Sequence, residues 1–403
     1  MNKHLNATII VTFILAVLSV IVSANHNKNE KTKTKDVYSP AAVASTSDES
    51  AVEMRGLWVS YISLDMNGTD KSETSFRQKF GEIISTAKEY GCNTLFVHVR
   101  PFCDAFYKSD YFPSSHILWG TQGERASYDA LEIMCEMSKK ENLEIHAWIN
   151  PFRVTTDKSK FDLSQNNPYI SNTGIGIEYE SGIYLNPANK TARKLIKDGI
   201  LEIIENYDID GIHLDDYFYP TDKEDFDIAD YKAYLKGCKS ETDAMPQNVW
   251  RQNNVNLLVC DIYRAVKEYD RNLLFGISPQ GNIDNNYKIG ADVKAWVENY
   301  GYVDYICPQL YYSLENPALK FEAGLDSWLN FKSHPSLKIY AGLAVYKAGT
   351  DADEGTWKTS ECILAEELEI IRNSNLDGYI LYDYEALTKE TSKIEMKNFM
   401  DRI

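Results

Sequence analysis

The chain has 403 residues, of which 44% are hydrophobic and 25% charged, and its formal net charge is −17. This length and apolar content are sufficient for a large buried core. The negative charge argues against nucleic acid and anionic membrane surfaces as partners, because it repels both at long range.

The start of the chain has the pattern of a targeting segment. Residues 1–24 have a short basic start, continue as an apolar run and end in VSA, which suits a small-residue cleavage site. We interpret them as a signal peptide, with an uncleaved anchor as the alternative, because the run is long enough to span a bilayer. Residues 25–52 are rich in Asn, Lys, Ser and Thr and indicate a flexible linker. We therefore expect residues 53–403 to work outside the cytoplasm, with membrane contact only through an uncleaved N-terminal segment.

Eight short apolar runs, each ending in polar or Pro-containing sequence, predict strands buried on both faces. The runs are residues 55–62, 94–102, 144–152, 210–218, 273–281, 304–312, 338–346 and 378–386. Amphipathic stretches between them predict helices: Phe76, Phe80 and Ile83 share one stripe after the first run, and Ser360 is the predicted N-cap before the last. This alternation predicts an α/β fold, a (β/α)8 TIM barrel. An open doubly wound sheet is the alternative, but the sequence lacks the Gly-rich phosphate loop that it requires.

Two connections between the predicted strands are long. Residues 153–190 follow the third strand and residues 219–250 follow the fourth, and both are polar and loop-like. In a TIM barrel the active site lies at the C-terminal ends of the strands, from which both insertions leave. We expect them to form walls of that site and not separate domains.

Polar and aromatic residues collect at the predicted strand ends. The candidate catalytic residues are Asp215 and Asp216, in GIHLDDYFYP after the fourth strand, and Asp383 and Glu385 after the eighth. The candidate substrate-binding residues are Arg55, His98, Arg100, Asn150, Arg153, Asn186, His213, Tyr217, Gln309, Tyr311 and Tyr382. The seven cysteines have no spacing typical of a zinc or redox motif, and we predict neither a metal nor another cofactor.

Carboxylates combined with aromatic rings indicate glycoside hydrolysis. One carboxyl group protonates the leaving oxygen, while a second group stabilises positive charge at the anomeric carbon. Two adjacent carboxylates also push their titrations apart, so that one stays protonated near neutral pH. The alternative is structural: one aspartate caps the following loop or pairs with Arg55, Arg100 or Arg153.

Longer motifs resemble a known family. They are MRGLWVSYISL, FVHVRPFCDAFYKSDYFP, LEIHAWINPFRV, YLNPANKTARKLIKDGILEIIENYDIDGIHLDDYFYP, WRQNNVNLLV, FGISPQGN, YICPQLYY and GYILYDYEAL. In order over residues 52–390, they resemble the glycosyl hydrolase-like 10 proteins. The resemblance implies an exported bacterial TIM-barrel glycosidase, with Asp215 and Asp216 first among the motif positions. Its implied partner is a carbohydrate polymer of N-acetylglucosamine (GlcNAc) and N-acetylmuramic acid (MurNAc), specifically peptidoglycan glycan strands stripped of peptides.

The remaining residues are assigned supporting roles. Arg100 and Arg153 are candidates for the lactyl carboxylate of MurNAc or for ion pairs with the aspartates. Asn150, Asn186 and Gln309 are candidates for hydrogen bonds to sugar hydroxyls. The candidate stacking rings are Trp119, Tyr217, Tyr311 and Tyr382. His98 and His213 are interpreted as buried histidines of the barrel, with His213 orienting Asp215 or a neighbour.

Two catalytic arrangements remain open. In the first, Asp216 works across the cleft with Asp383 or Glu385. In the second, which we favour, the aspartate pair acts alone, and the N-acetyl group of the substrate attacks its own anomeric carbon. One aspartate then orients the acetamide and the other is the acid.

Two other functions compete with hydrolysis of a glycan. A non-catalytic glycan-binding barrel would keep the aromatic residues but would not need the acidic pair. A metal-dependent carbohydrate esterase would place His98, His213 and Asp215 around zinc. A zinc site needs three well-placed ligands, however, and the two histidines are single residues on separate predicted strands.

Overall fold

The computed structural model describes residues 52–403. The predicted signal peptide or anchor and all of the predicted linker except Val52 lie outside the described residues. No helix within residues 52–403 is long and apolar enough to cross a membrane.

Eight parallel strands close into a barrel, which confirms the predicted fold. The strands of the described chain are β1 (Met54–Val59), β2 (Thr94–Arg100), β3 (Glu144–Ile149), β4 (Arg153–Thr155), β5 (Gly176–Tyr179), β6 (Gly182–Leu185), β7 (Gly211–Leu214), β8 (Leu274–Ile277), β9 (Tyr305–Ile306), β10 (Lys338–Leu343) and β11 (Gly378–Leu381). Around the barrel the order is β1-β2-β3-β7-β8-β9-β10-β11, and β11 pairs with β1. All C-terminal strand ends therefore meet at one end of the barrel, which we call the mouth.

Helices connect and surround the strands. They are Glu73–Glu89, His116–Trp119, Ala130–Lys140, Pro168–Ser171, Lys190–Asn206, Ile228–Gly237, Gln247–Tyr269, Ile283–Lys288, Val293–Glu298, Phe321–Leu329, Ile363–Asn373, Tyr384–Leu387 and Lys393–Met400. Side chains fix several starts: Ser72 and Asp129 each accept a hydrogen bond from a backbone N–H in the first turn of the next helix. The predicted N-cap Ser360 is wrong. Its hydroxyl accepts from Cys362 N at 3.0 Å, so that it closes a turn before helix Ile363–Asn373 begins.

The strands end earlier than the apolar runs predict. The run 304–312 is a strand only over Tyr305–Ile306, and Pro308 within it has no N–H to give to a ladder. After β7 the chain turns because the Tyr217 N–H donates to the Asp215 side chain at 3.2 Å. Residues predicted as strand therefore form the turns that line the mouth.

Both long insertions are more ordered than the loops that the sequence predicts. The connection after β3 contains a three-stranded antiparallel sheet with the order β4-β6-β5. The predicted insertion 219–250 after β7 contains helix Ile228–Gly237 and the first turn of helix Gln247–Tyr269. Both leave from the mouth, as expected of insertions at the C-terminal ends of strands.

Large rings fill the inside of the barrel. The buried rings are Trp58, Phe96, His146, Trp148, His213, Tyr305 and Tyr340. The Tyr305 hydroxyl lies 2.9 Å from His146 Nδ1 and 3.0 Å from His213 Nδ1, so that polar atoms of the interior bond to one another. The barrel is thus a packed core beneath the mouth.

Glycines on the strands make room for these rings. A Cβ on Gly276 of β8 would overlap the ring of Tyr305, and a Cβ on Gly211 of β7 would lie 2.6 Å from the His146 ring. A Cβ at such positions forces its neighbours to move. Rings and glycines on adjacent strands are therefore matched.

We expect Gly276→Ala to lower the free energy of unfolding by about 1–3 kcal/mol, because the added methyl group overpacks the interior. Urea unfolding followed by fluorescence measures this loss. Gly237→Ala is the matched control, since a Cβ there meets no atom within 4 Å and residue 237 ends helix Ile228–Gly237. Equal stability of the Gly276 variant and the control would contradict this packing.

Candidate active site

Asp215 is a buried carboxylate directly after β7. It is 2% exposed, and its Oδ2 accepts hydrogen bonds from Trp148 Nε1 at 3.1 Å and from the Asn150 amide. Its Oδ1 accepts from the Tyr217 backbone N–H. Charged groups are rarely buried without such donors, because their desolvation is unfavourable. The carboxylate is therefore held in one orientation from two sides.

A relay of hydrogen bonds orients the donor amide of Asn150. The Tyr61 backbone N–H donates to His98 Nδ1 at 3.2 Å, so the proton of the neutral ring is on Nε2. His98 Nε2 then donates to Asn150 Oδ1 at 3.0 Å, which turns the Asn150 nitrogen toward Asp215. Burial lowers the pKa of His98 well below its usual range and keeps the ring neutral.

Asp216 is the more accessible member of the pair. It is partly exposed, and its Oδ1 accepts a hydrogen bond from Gln309 Nε2 at 3.0 Å. The same Nε2 donates to the Ser278 carbonyl at 2.9 Å, which fixes the amide. Asp216 can therefore meet a ligand at the mouth while Asp215 lies behind it.

Neither aspartate forms an ion pair with a Lys, Arg or His of residues 52–403. Burial raises the pKa of Asp215 to about 7, against the opposing charge of Arg153 and with the help of the Asp216 charge. Burial also raises the pKa of Asp216. Two adjacent carboxyls in such a site titrate together, so the pair holds a proton near neutral pH.

Arg153 lies beside the pair. Its guanidinium carbon is 4.2 Å from the centre of the Tyr217 ring and 5.8 Å from that of Phe102. It is 8% exposed, and its guanidinium makes no hydrogen bond or ion pair within the described part of the chain. Its charge acts on Asp215 and Asp216 without neutralising either, and its N–H groups are left for a ligand.

Tyrosine rings line the mouth. The Tyr382 ring is 5.5 Å from Tyr311, 5.8 Å from Tyr346 and 5.7 Å from Trp58. Tyr217 is 56% exposed. Among the residues described, the hydroxyls of Tyr217, Tyr311, Tyr346 and Tyr382 make no hydrogen bond, and none of them is sealed from solvent. Rings with accessible hydroxyls suit the faces and hydroxyls of sugars.

Arg55 and Arg100 lie away from the aspartates, contrary to their predicted place. Arg55 is near the N-terminal end of β1, opposite the mouth, where its backbone bonds Asn93. Arg100 follows a register shift in β2 that turns its side chain outward, onto the Phe112 ring at 4.8 Å and the Pro151 carbonyl at 3.2 Å. The Arg100 side chain is therefore held by structural partners, and Arg55 lies at the other end of the barrel from the aspartate pair.

Asn186, His213 and Trp119 also have structural partners. Asn186 donates to Asp230 at 3.0 Å and accepts from the Ala188 N–H at 2.9 Å. His213 Nε2 accepts from Trp58 Nε1 at 3.2 Å, so His213 serves the barrel interior and does not bond Asp215. Trp119, a further predicted stacking ring, is buried against Tyr128.

The carboxylates after β11 have separate tasks. Asp383 caps helix Tyr384–Leu387 by accepting from the Ala386 N–H at 3.1 Å, and Glu385 belongs to the first turn of that helix. Burial raises the pKa of Asp383, and the hydrogen bond from the Ala386 N–H opposes this rise. The structure gives neither carboxylate a contact with the aspartate pair.

The proposed zinc ligands are not brought together. His98 and His213 both direct their nitrogens to protein partners, and no group of three potential ligands drawn from His, Cys, Asp and Glu is arranged for a metal within residues 52–403. The geometry thus gives no support to a zinc-dependent esterase.

Sequence analysis missed two residues that position the site. Trp148 donates to Asp215, and Tyr61 begins the relay to Asn150. His146, Trp148 and Asn150 are two residues apart in the run 144–152. The strand period of two therefore places all three on one face, and it predicts that Trp148 points inward with the other two. Tyr61 acts through its backbone N–H, which leaves no signal in the sequence.

Comparison with known proteins agrees with the earlier resemblance. The sequence model of the glycosyl hydrolase-like 10 family matches residues 53–359. Glycosyl hydrolase YngK of Bacillus subtilis (strain 168) is 34% identical over 351 residues, which cover 80% of this chain and 67% of that protein. Glycosyl hydrolase DigH of Escherichia coli (strain K12) is 26% identical over 388 residues, covering 85% and 86%.

A solved structure supports the fold. The PgaB (BpsB) glycoside hydrolase domain from Bordetella bronchiseptica superimposes with a TM-score of 0.57 over 85% of this chain and 98% of that chain. The two sequences are 12% identical, so this likeness concerns the fold alone.

We expect Asp215→Asn to become more stable relative to the wild type as the pH rises from about 4 to 7. The folded-state pKa of Asp215 is raised to about 7, so the wild type is stabilised by the protonated form below the unfolded-state pKa and loses this stability as the pH rises through 7. Asparagine cannot ionise and avoids the loss, which should be on the order of 4 kcal/mol for a shift from the ordinary pKa of an aspartate to about 7. Urea unfolding at several pH values measures the difference.

The control for this experiment is Asp222→Asn, which removes an exposed carboxylate whose side chain makes no hydrogen bond among the described residues. Its stability difference from the wild type should be independent of pH. If the stability difference between Asp215→Asn and the wild type did not change with pH, burial would not raise the pKa of this group.

Proposed function

Since the chain belongs to the glycosyl hydrolase-like 10 family and is a glycoside hydrolase, we propose that it cleaves glycosidic bonds in an amino-sugar polymer, specifically peptide-free peptidoglycan glycan strands. One observation carries the proposal: a buried aspartate and an accessible one share the mouth of the barrel, and neither forms an ion pair with a basic residue of the described range 52–403. Such a pair retains a proton for a leaving group near neutral pH.

Asp216 is the proposed general acid. It is the carboxyl open to the mouth, and burial raises its pKa. Gln309 holds it in place. In the first step the Asp216 proton passes to the glycosidic oxygen as the bond from the anomeric carbon to that oxygen breaks.

The acetamide of the substrate is the proposed nucleophile. Its carbonyl oxygen attacks the anomeric carbon and forms a cyclic oxazolinium ion, which water opens while returning a proton to Asp216. This route needs no carboxylate from across the cleft, because Asp215 orients the acetamide, and Asp383 is already engaged in capping helix Tyr384–Leu387. The tyrosine hydroxyls at the mouth, Tyr311 and Tyr382 among them, are donors for the acetamide.

Arg153 supports a MurNAc-containing substrate. The lactyl group of MurNAc carries a carboxylate, and the guanidinium of Arg153 is a buried cation with unused donors beside the pair. A polymer of GlcNAc alone would have no group to match this charge.

We expect Asp216→Asn to lower kcat/KM on peptide-free glycan strands by roughly 10²–10⁴-fold, because the general acid is lost. Asp383→Asn and Glu385→Gln should stay within a few-fold of the wild type, since the acetamide replaces a second carboxylate. Product analysis by chromatography gives the rates, and NMR should find the anomeric configuration retained.

Two results would contradict this mechanism. Near-normal turnover by Asp216→Asn would remove the pair from the reaction. A loss in Asp383→Asn or Glu385→Gln as large as that in Asp216→Asn would instead favour a second carboxylate across the cleft.

We also propose that the enzyme is exported, because residues 1–24 have the pattern of a signal peptide and the proposed substrate lies outside the cytoplasm. When the full chain is expressed in a bacterium, we expect the product outside the cytoplasm to begin at or near Asn25. N-terminal sequencing after fractionation tests this. Full-length chain in the membrane fraction would indicate an anchor, and full-length chain in the cytosol would contradict export.

A further inference from the structure

A second polar pair lies beside the mouth, in the turn and short helix that follow β2. Asp104 is fully buried, and its Oδ2 lies 2.8 Å from His116 Nδ1. The same oxygen accepts hydrogen bonds from the His116 backbone N–H at 3.4 Å and from Gln122 Nε2 at 3.2 Å. Asp104 therefore fixes both the backbone and the ring of His116. None of these residues has a role in the aspartate site.

The other nitrogen of His116 is free. Its side chain is 12% exposed, and Nε2 has no hydrogen-bond partner among residues 52–403 while remaining accessible to solvent. The ring stacks on Phe161 with centroids 3.6 Å apart and an interplanar angle of 16°. A buried carboxylate and an aromatic face thus hold an imidazole whose outer nitrogen has no structural task.

The Phe102 ring connects this pair to the aspartate site. Its centroid is 5.3 Å from that of His116 and 5.8 Å from the guanidinium carbon of Arg153. Tyr61, which begins the relay to Asp215, packs on Phe102 at 5.3 Å. His116 and Arg153 are thus basic groups next to one ring, in a chain whose formal net charge is −17.

We propose that His116, positioned by Asp104, forms with Arg153 a subsite that binds a carboxylate-bearing sugar of the glycan. The inference rests on the proposed function and adds to it the group that the cleft selects. In its protonated form the imidazole donates from Nδ1 to Asp104 and from Nε2 to the ligand carboxylate. The basic groups give the β2–β3 side of the mouth a preference for acidic sugars over neutral ones.

The test is a binding measurement that needs no turnover. Calorimetry at pH 6 in the Asp216→Asn background compares a GlcNAc–MurNAc oligosaccharide with a GlcNAc oligosaccharide of equal length. The variant is His116→Asn, because the asparagine amide still reaches Asp104 but provides no group at the position of Nε2. We expect its Kd for the MurNAc ligand to rise about tenfold, as for loss of one charge-assisted hydrogen bond.

The controls separate a specific role from general effects. Lys332→Gln removes an exposed cation after helix Phe321–Leu329, at the end of the barrel opposite the mouth, and should leave the ratio of the two Kd values unchanged. Asp104→Asn should reduce the preference for MurNAc as His116→Asn does, since the ring loses its orientation. The thermal unfolding midpoint of each variant verifies that it is folded.

Two outcomes would overturn the inference. If the ratio of the two Kd values were unchanged in His116→Asn, the subsite would not recognise the carboxylate. If both ligands lost the same affinity, His116 would have a structural role only. Hydrolysis by the wild-type enzyme is measured in parallel. If the wild type cleaves glycan strands while the ratio is unchanged, only this inference fails, whereas absence of hydrolysis refutes the proposed function.

Discussion

The buried carboxylate of Asp215 is the group around which the mouth is organised. Taking such a charge out of water is unfavourable unless donors replace the water, and here Trp148, Asn150 and the Tyr217 backbone do so. These donors come from β3, from the turn after it and from the turn after β7. The Asn150 amide is correctly oriented only because His98 and the Tyr61 backbone fix it. One desolvated group thus determines the conformation of chain segments following several strands.

The interior of the barrel supplies the rigidity that this arrangement requires. His213 and His146 share the Tyr305 hydroxyl, and Trp58 donates to His213, so the polar atoms below the mouth are largely bonded to one another. Burial lowers the pKa of His213 well below its usual range, which keeps this layer uncharged. Because these histidines below Asp215 and Asp216 are uncharged, they add no further titrating charge near the two carboxyl groups. The sequence shows histidines on apolar runs, and their task is packing and orientation.

The periodic features of the sequence predicted the architecture, while single side-chain directions depended on details without a sequence signal. Eight apolar runs typical of parallel strands were sufficient to predict the barrel. The position of Asp215 at the polar end of the run 210–218 was sufficient to place it at the mouth. Arg100 was misplaced because the strand period of two puts it on the same side as His98, whereas a register shift between them turns it outward. Arg55 was misplaced because it is near the first residue of its strand and not the last. Asn186 lies in the insertion after β3, whose small sheet the polar sequence did not reveal, and it bonds to Asp230 in the insertion after β7.

The two sides of the mouth differ in chemistry, and this bears on how a glycan chain is held. The side formed after β9, β10 and β11 presents the rings of Tyr311, Tyr346 and Tyr382, which provide apolar faces and hydroxyls without charge. The side formed after β2 and β3 presents Arg153. Aromatic rings pack on the faces of sugars and discriminate little between their substituents. A basic group with unused donors, in contrast, distinguishes an acidic sugar from a neutral one. Because Asp215 and Asp216 lie at this same mouth, the proposed recognition of an acidic sugar and the proposed proton transfer would be coupled through the charge of Arg153, which opposes the rise in the pKa of both aspartates. A ligand carboxylate that neutralises Arg153 would remove this opposition and favour the protonated acid when the substrate is bound.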